Sequence, residues 1–128
     1  MTDKIEYNWK NKTVLITEDL ELNYMFLEKI LSQSEIKVIR AKDGYEALQI
    51  IKSNTTIDII LMDVQMPGID GFESTVAVKK LRPELPIILQ TAYLIEDGRK
   101  KGIQSGANEY VEKPINVNKL FALMEKYL

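Results

Sequence analysis

The segment IDIILMD at residues 57–63 decides the fold, because it is a short apolar run that ends in a carboxylate. A strand with one solvent-exposed face alternates apolar and polar side chains, whereas a nearly continuous apolar strand is buried on both faces. Comparable runs stand at residues 13–17 and 86–91, and more amphipathic ones at 37–41 and 109–112. These runs predict a parallel sheet with helices packed on both of its faces.

Helical patterns fill the intervals between the predicted strands. In the first of them Leu22, Met25, Phe26 and Ile30 recur at helical spacing. The predicted helices span residues 22–31, 44–53, 72–81, 97–105 and 117–127, with Asp43 and Asn116 as N-caps of the second and the last. Because parallel crossovers are right-handed, this alternation predicts an α/β, flavodoxin-like (βα)5 fold, a doubly wound five-stranded parallel sheet in the order 2-1-3-4-5.

Length and charge limit the classes of function. The chain has 128 residues and a net charge of -2, which is typical of one domain and leaves no surplus of cations for binding nucleic acid. No apolar run approaches the ~20 residues that span a bilayer, and no apolar signal region follows the N-terminus. We therefore expect a cytoplasmic domain that contacts neither a membrane nor nucleic acid directly.

Two absent residue types restrict the chemistry further. The chain contains no cysteine and no histidine, so it can form no disulfide, no Ser-His catalytic pair and no phosphohistidine of its own. Any bound metal must be held by oxygen ligands, which suits Mg²⁺, Mn²⁺ or Ca²⁺.

The N-terminus differs from the remainder of the chain. Residues 1–11 are mostly polar and show no periodic pattern, so we expect a lead-in or linker remnant before a compact domain at residues 12–128. Because the last predicted helix ends with the chain, no attached output domain is expected.

Reactive side chains gather after the predicted strands. Glu18 and Asp19 follow the first strand, Asp63 ends the third, Thr91 ends the fourth and Lys113 follows the fifth. Ligands of such sheets bind beyond the carboxyl ends of the strands, where the strand order reverses. Three carboxylates meeting there disfavour ionisation unless a cation lies among them. A hard metal ion, a carboxylate nucleophile, a hydroxyl and an ammonium together suit phosphoryl transfer through an aspartyl phosphate.

Several short motifs together resemble the response-regulator receiver family of two-component signalling. They are Glu18-Asp19, the segment MDVQMPG at 62–68, Asp70-Gly71, Thr91-Ala92, Gly106-Ala107 and Lys113-Pro114. The resemblance spans residues 12–128, and each of the five site positions follows its proper strand.

The resemblance implies that Asp63 accepts a phosphoryl group from a phosphohistidine or from a small-molecule donor. Asp19 and Asp63 would ligate Mg²⁺ together with the backbone carbonyl of Gln65, Glu18 would act mostly through a bound water, and Mn²⁺ could substitute for Mg²⁺. Gln65 and Tyr93 match the two positions that tune the lifetime of the aspartyl phosphate in the family.

The resemblance also implies a conformational switch. Thr91 and Lys113 would contact the phosphoryl oxygens, and Tyr110 matches the aromatic residue that changes burial as Thr91 moves. Helix four, strand five and helix five would be the face that is remodelled. The Lys113-Pro114 peptide stands where the family has a cis bond.

Two departures from the family pattern bear on partners and assays. Leu20 follows the acidic pair where a polar residue is common, and it lies where histidine-containing partners dock, so partner choice is expected to differ. Val64 leaves Asp63 without an adjacent tryptophan, and Trp9 is expected to lie far from the site. Intrinsic fluorescence is therefore not expected to report metal binding or phosphorylation.

The implied partners are a histidine kinase or a histidine phosphotransfer protein, and a downstream protein target. The chain would act in a phosphorelay, catalysing phosphoryl transfer to its own Asp63 and slow hydrolysis, without being a turnover enzyme of the usual kind. It would be either a stand-alone regulator or one cytoplasmic domain of a hybrid sensor histidine kinase. The segment YNWKNK at residues 7–12 resembles the junction before such kinase receivers and slightly favours the second.

Three alternatives fit the sequence less well. A binding module with the receiver fold would act by contact without phosphorylation, but it would not need the intact site. A hydrolase with an aspartyl-phosphate intermediate typically has a second acid two residues after the nucleophile, where this chain has Gln65. A flavin-binding relative would need a phosphate cradle after the first strand, where Glu18 and Asp19 stand instead.

Overall fold

The computed structural model describes residues 6–54, 56–92 and 96–128. The strands are β1 Thr13–Thr17, β2 Lys37–Ala41, β3 Ile59–Asp63, β4 Ile87–Thr91 and β5 Glu109–Glu112. The helices are α1 Glu21–Leu31, α2 Gly44–Ser53, α3 Gly71–Leu81, α4 Glu96–Ser105 and α5 Val117–Tyr127, with a 3-10 turn at Ser32–Ser34. Among these described residues, no helix has both the length and the apolarity needed to cross a bilayer.

The sheet confirms the predicted topology. Its order is β2-β1-β3-β4-β5, and each neighbouring pair of strands is parallel. The register pairs Thr17 with Met62 and Asp63 with Gln90, so the ends of the three central strands lie side by side. Strand order reverses between β1 and β3, which therefore form the edge where ligands bind in sheets of this kind.

Helices cover both faces of the sheet. One apolar cluster joins α1 and α5 to β1, β3 and β4 through residues such as Leu27, Ile16 and Met124. The other joins α2 and α3 to the opposite face through residues such as Ile51 and Val78. In each of the strands β1, β3 and β4 all five residues are buried, as expected for strands enclosed between two helical layers.

Side-chain caps start three of the helices. Asp43 accepts a hydrogen bond from the Glu46 amide at 2.8 Å and Asn116 one from the Lys119 amide at 3.0 Å, which confirms both predicted caps. Asp70 caps α3 in the same way, with a 2.8 Å bond from the Glu73 amide. Helix α1 begins after Leu20, whose side chain makes no capping bond.

Of the four apolar residues that predicted α1, Leu22, Met25 and Phe26 are exposed, whereas Ile30 is partly buried against the core. Leu27 and Leu31, four residues apart, fill the buried face of this helix. The exposed fractions are 56% for Leu20, 81% for Leu22, 52% for Met25 and 46% for Phe26. The spacing identified the helix correctly, but periodicity cannot say which of two apolar stripes the rest of the fold covers.

The segment expected to be a lead-in contributes to the core. Trp9 is only 3% exposed, and its ring centroid lies 5.2 Å from that of Tyr7 and 5.4 Å from that of Phe121 on α5. Its indole Nε1 donates to Glu125 Oε2 at 2.8 Å, and its amide donates to the Ser34 carbonyl at 2.8 Å. The boundary at residue 12 stays a prediction, although Tyr7 and Trp9 pack on the domain.

Candidate functional site

Three carboxylates meet at the edge where the strand order reverses. Glu18 follows β1 directly, Asp19 is the next residue, and Asp63 is the last residue of β3. One carboxylate oxygen from each lies within 4.8 Å of the others. Glu18 is fully buried and Asp63 is 2% exposed. The predicted acidic cluster is therefore assembled, and most of it is shielded from bulk water.

Lys113 lies between two of these carboxylates. Its Nζ is 3.2 Å from Asp63 Oδ1 and 3.5 Å from Glu18 Oε1. The backbone holds the lysine there, because the Lys113 amide donates to the carbonyl of Thr91 at 2.8 Å. The peptide between Lys113 and Pro114 is cis.

The cluster carries more negative charge than one ammonium can balance. Burial raises the pKa of Glu18 from 4.5 to about 7, and the neighbouring charge of Asp63 and a hydrogen bond with it add to the rise, while Lys113 opposes it. Burial removes water from the charged form of a carboxyl, and a second nearby carboxylate disfavours a second negative charge. A divalent cation would remove both penalties.

The donor set fits Mg²⁺. Every candidate ligand is an oxygen, and one or two carboxylates completed by water are typical for this ion. Asp19 Oδ1 is buried and has no hydrogen-bond partner within the described ranges, so one carboxylate oxygen is left for a ligand. The Gln65 amide donates to Asp63 Oδ1 at 3.1 Å, which places Gln65 beside the cluster.

The loop between β3 and α3 is closed at its base. The Gly71 amide donates to the Val64 carbonyl at 2.9 Å. A methyl group on Gly71 would lie 2.3 Å from the Asp63 carbonyl oxygen, so glycine is needed for this close approach. The six residues 65–70 lie between these two, and the first of them, Gln65, contacts the site through its amide.

Thr91 and Tyr110 lie on the side of the site next to α4. Thr91 is the buried last residue of β4, and Tyr110 on β5 pairs in register with Leu89. A methyl group on Gly102 of α4 would lie 3.6 Å from Tyr110 Cδ1, so this ring packs beneath the helix. Tyr93, the second residue expected to tune the phosphoryl lifetime, lies outside the described residues.

Arg40 supports the acidic pair and was missed by the sequence patterns. Its Nη2 and Nε donate to the Glu18 carbonyl at 3.2 and 3.3 Å, and its guanidinium forms an ion pair with Glu21. The same guanidinium lies 4.4 Å from the ring centroid of Tyr24. A lone arginine within an amphipathic strand was the signal available in the sequence, but its partners are 16 to 22 residues away.

Comparison with known proteins gives a consistent answer. The family model for the response regulator receiver domain matches residues 14–125. The chain is 34% identical over 120 residues to the polar-differentiation response regulator DivK of Brucella anthropi, a match that covers 91% of this chain and 96% of DivK. It is also 34% identical over 119 residues to the sensor histidine kinase GacS of Pseudomonas protegens, covering 89% of this chain but 13% of GacS.

Solved structures show the same fold. Chemotaxis protein CheY4 of Vibrio cholerae superposes with a TM-score of 0.85 at 28% identity, over 91% of this chain and 98% of that one. The receiver domain of the sensor histidine kinase PA1611 of Pseudomonas aeruginosa gives a TM-score of 0.84 at 27% identity, over 91% and 97% of the two chains. That structure has a magnesium ion coordinated in the active-site cleft.

Proposed function

The chain belongs to the response regulator receiver family, and we propose that it accepts a phosphoryl group on Asp63 from a phosphohistidine partner in a Mg²⁺-dependent reaction. Receiver domains act in two-component signalling with histidine kinases or phosphotransfer proteins and with downstream targets. The observation that carries the proposal is the position of Lys113, whose ammonium lies within 3.2 Å of Asp63 Oδ1 and 3.5 Å of Glu18 Oε1.

Each residue has a defined task in the proposed reaction. A carboxylate oxygen of Asp63 attacks phosphorus, the phosphorus–nitrogen bond breaks, and the imidazole of the donor keeps the electron pair. Lys113 passes from the Asp63 carboxylate to a phosphoryl oxygen, and the Thr91 hydroxyl donates to another. Mg²⁺ would be held by Asp19, Asp63 and the Gln65 carbonyl, with Glu18 acting mostly through a bound water, and would supply charge neutralisation; Mn²⁺ could substitute for it.

The outward face of α1 is the proposed docking surface for the donor. Leu20, Leu22, Met25 and Phe26 expose apolar side chains immediately after the acidic pair. Exposed apolar patches of this kind mark interaction sites. A crevice of about 280 Å³ continues the surface between Phe26 on α1 and Pro114 in the loop before α5. A partner seated there would bring its phosphohistidine to Asp63.

The proposed output is a change in α4, β5 and α5. Tyr110 lies under α4, and Ile103 on that helix is 68% exposed, so the described side chains of α4, at residues 100–105, offer few buried apolar contacts to the sheet. Elements with few buried contacts open at low cost. We expect movement of Thr91 toward the phosphoryl group to change the burial of Tyr110 and to shift α4. Amide exchange in α4 as slow as in α1 would contradict this.

The proposal is tested by intact mass after incubation with acetyl phosphate and MgCl₂. One added phosphoryl group is expected, and none with Asp63→Asn or in the presence of EDTA; MnCl₂ is expected to replace MgCl₂. A folded protein that gains no phosphoryl group from acetyl phosphate or from any phosphorylated histidine phosphotransfer domain would instead be a binding module that acts by contact alone.

The chain's wider context also belongs to the proposal. The match spans nearly all of DivK but a small part of GacS, so both a stand-alone regulator and a kinase domain remain compatible with the similarity. In either setting we propose a cytoplasmic location, where phosphohistidine donors of this kind are found.

A further inference from the structure

The geometry points to Tyr45 as a positioning residue for the metal site: we propose that its ring supports the loop at residues 65–70 and thereby holds the Gln65 carbonyl in its ligating position. The inference rests on the proposed function, because Gln65 is a ligand only if the site binds Mg²⁺. Within the described residues Tyr45 makes no hydrogen bond with the three carboxylates, so its influence would pass through the loop backbone.

The first turn of α2 approaches the loop as closely as side chains allow. A methyl group on Gly44 would lie 2.0 Å from Ser74 Oγ on α3 and 2.6 Å from Ile69 Cγ1 in the loop. The Asp43 cap fixes where α2 begins, with its 2.8 Å bond from the Glu46 amide. Tyr45 therefore projects from a well-anchored turn that is already in contact with the end of the loop.

The ring of Tyr45 lies against the backbone of Gly68. A methyl group on Gly68 would approach Tyr45 Cε2 to 2.9 Å and Cδ2 to 3.5 Å, so the ring occupies the space that any other side chain would need. Gly68 has a φ of 81°, a conformation that glycine adopts without strain. Tyr45 is 57% exposed and belongs to neither core cluster. Its contact with Gly68 therefore supports the loop and adds little to the core.

The supported segment is the one whose geometry matters for the metal. Met66 packs against the core cluster that joins α2 and α3 to the sheet, and the Gln65 amide donates to Asp63 Oδ1. The next two residues, Pro67 and Gly68, are exposed. Exposed loop residues with few buried contacts open at low cost. Each open conformation moves the Gln65 carbonyl, so support at Gly68 raises the population in which all ligands are in place.

The test compares Tyr45→Ala, Tyr45→Phe and Gln49→Ala with the wild type. Gln49 is an exposed, uncharged residue on the same helix and serves as the matched control. Calorimetric titration with MgCl₂ should show about tenfold weaker binding for Tyr45→Ala. This is the lower end of the loss in metal affinity found when a residue that orients a metal ligand is replaced. Tyr45→Phe and Gln49→Ala should bind Mg²⁺ as the wild type does, since the ring carries the contact.

Three further readouts separate positioning from general destabilisation. Amide exchange at residues 65–70 should be faster in Tyr45→Ala, while exchange in β3 and the melting temperature stay close to those of Gln49→Ala. The rate of acetyl-phosphate labelling should need more Mg²⁺ to saturate but reach the same plateau. Equal Mg²⁺ affinity in Tyr45→Ala and wild type, or equal weakening in Tyr45→Phe, would overturn the inference. A wild type that binds no Mg²⁺ would overturn the proposed function as well.

Discussion

Replacing Trp9 by alanine is expected to lower the free energy of unfolding by about 3 kcal/mol, even though Trp9 lies outside the matched receiver region. Trp9 is 3% exposed, its ring packs at a tilt against those of Tyr7 and Phe121, and its indole donates a hydrogen bond to Glu125. Removing a buried tryptophan side chain typically costs about 3 to 5 kcal/mol. We expect a loss of free energy at the lower end of this range, because the N-terminal segment can detach in the variant and no rigid cavity is then left.

Two milder variants divide this free energy between its causes. Trp9→Phe keeps a ring beside Phe121 but loses the Nε1 bond and part of the buried area, and we expect a loss of about 1 to 2 kcal/mol. Glu125→Gln keeps an acceptor for the indole, and since Glu125 is exposed we expect a change below about 1 kcal/mol. The ring contacts therefore account for most of the effect.

The assay is urea unfolding followed by far-ultraviolet circular dichroism, which does not depend on the deleted chromophore. If the segment detaches from the folded Trp9→Ala variant, the slope of free energy against urea should fall, because less surface is then exposed on unfolding. Leu22→Ala serves as the control, since its side chain is 81% exposed. A loss no larger than that of the control would refute the reasoning and return residues 7–11 to the role of a lead-in.

Three further outcomes are expected. The pKa of Glu18 is raised from 4.5 to about 7, so the folded state without metal binds this proton more tightly than the unfolded state does. The free energy of unfolding should therefore fall by roughly 1 to 3 kcal/mol as the pH rises from about 4.5 to about 7. Urea titrations at pH 5 and pH 8 check this, and Glu18→Gln should abolish the difference, whereas Mg²⁺ should stabilise the wild type more at pH 8. Lys113→Ala should bind Mg²⁺ about tenfold more tightly, because the ammonium 3.2 Å from Asp63 no longer competes with the metal ion. The same variant should accept the phosphoryl group more slowly. Calorimetry measures the Mg²⁺ affinity and intact mass the rate of labelling, and weaker Mg²⁺ binding would contradict the prediction. Asp70→Ala should cost about 1 kcal/mol through loss of the α3 cap, which thermal unfolding measures, and Asp70→Asn, which keeps the acceptor, should not.

Much of the site could be predicted because the sheet topology places the residues that follow the strands at one edge of the sheet. In a doubly wound parallel sheet every strand ends at the same edge, so residues after consecutive strands converge there whatever their separation in the chain. Glu18 and Lys113 are 95 residues apart and are brought within 3.5 Å in this way. The motifs at Asp63, Thr91 and Lys113 could thus be grouped from the sequence alone.

Contacts between elements were not predictable in the same way. Helical spacing located α1, but whether Leu22 or Leu27 faced the core depended on how α5 and the sheet covered it. Arg40 reaches the Glu18 carbonyl from a neighbouring strand, and no local pattern indicates that bond. Tyr45 and Gly68 are likewise ordinary residues in the sequence and become partners only when α2 packs beside α3.

The sequence by itself determined the strand order, because short apolar runs separated by helical segments and parallel crossovers allow few topologies. The positions of the carboxylates, hydroxyl and ammonium after the strands followed from that order, and the family was indicated by the resemblance of the short motifs. Only the tertiary structure decided which apolar stripe of α1 is exposed, that Trp9 is buried against α5, and which side chains support the site from behind. The physical reason is that periodicity is a property of one element, whereas burial depends on the neighbours that cover it.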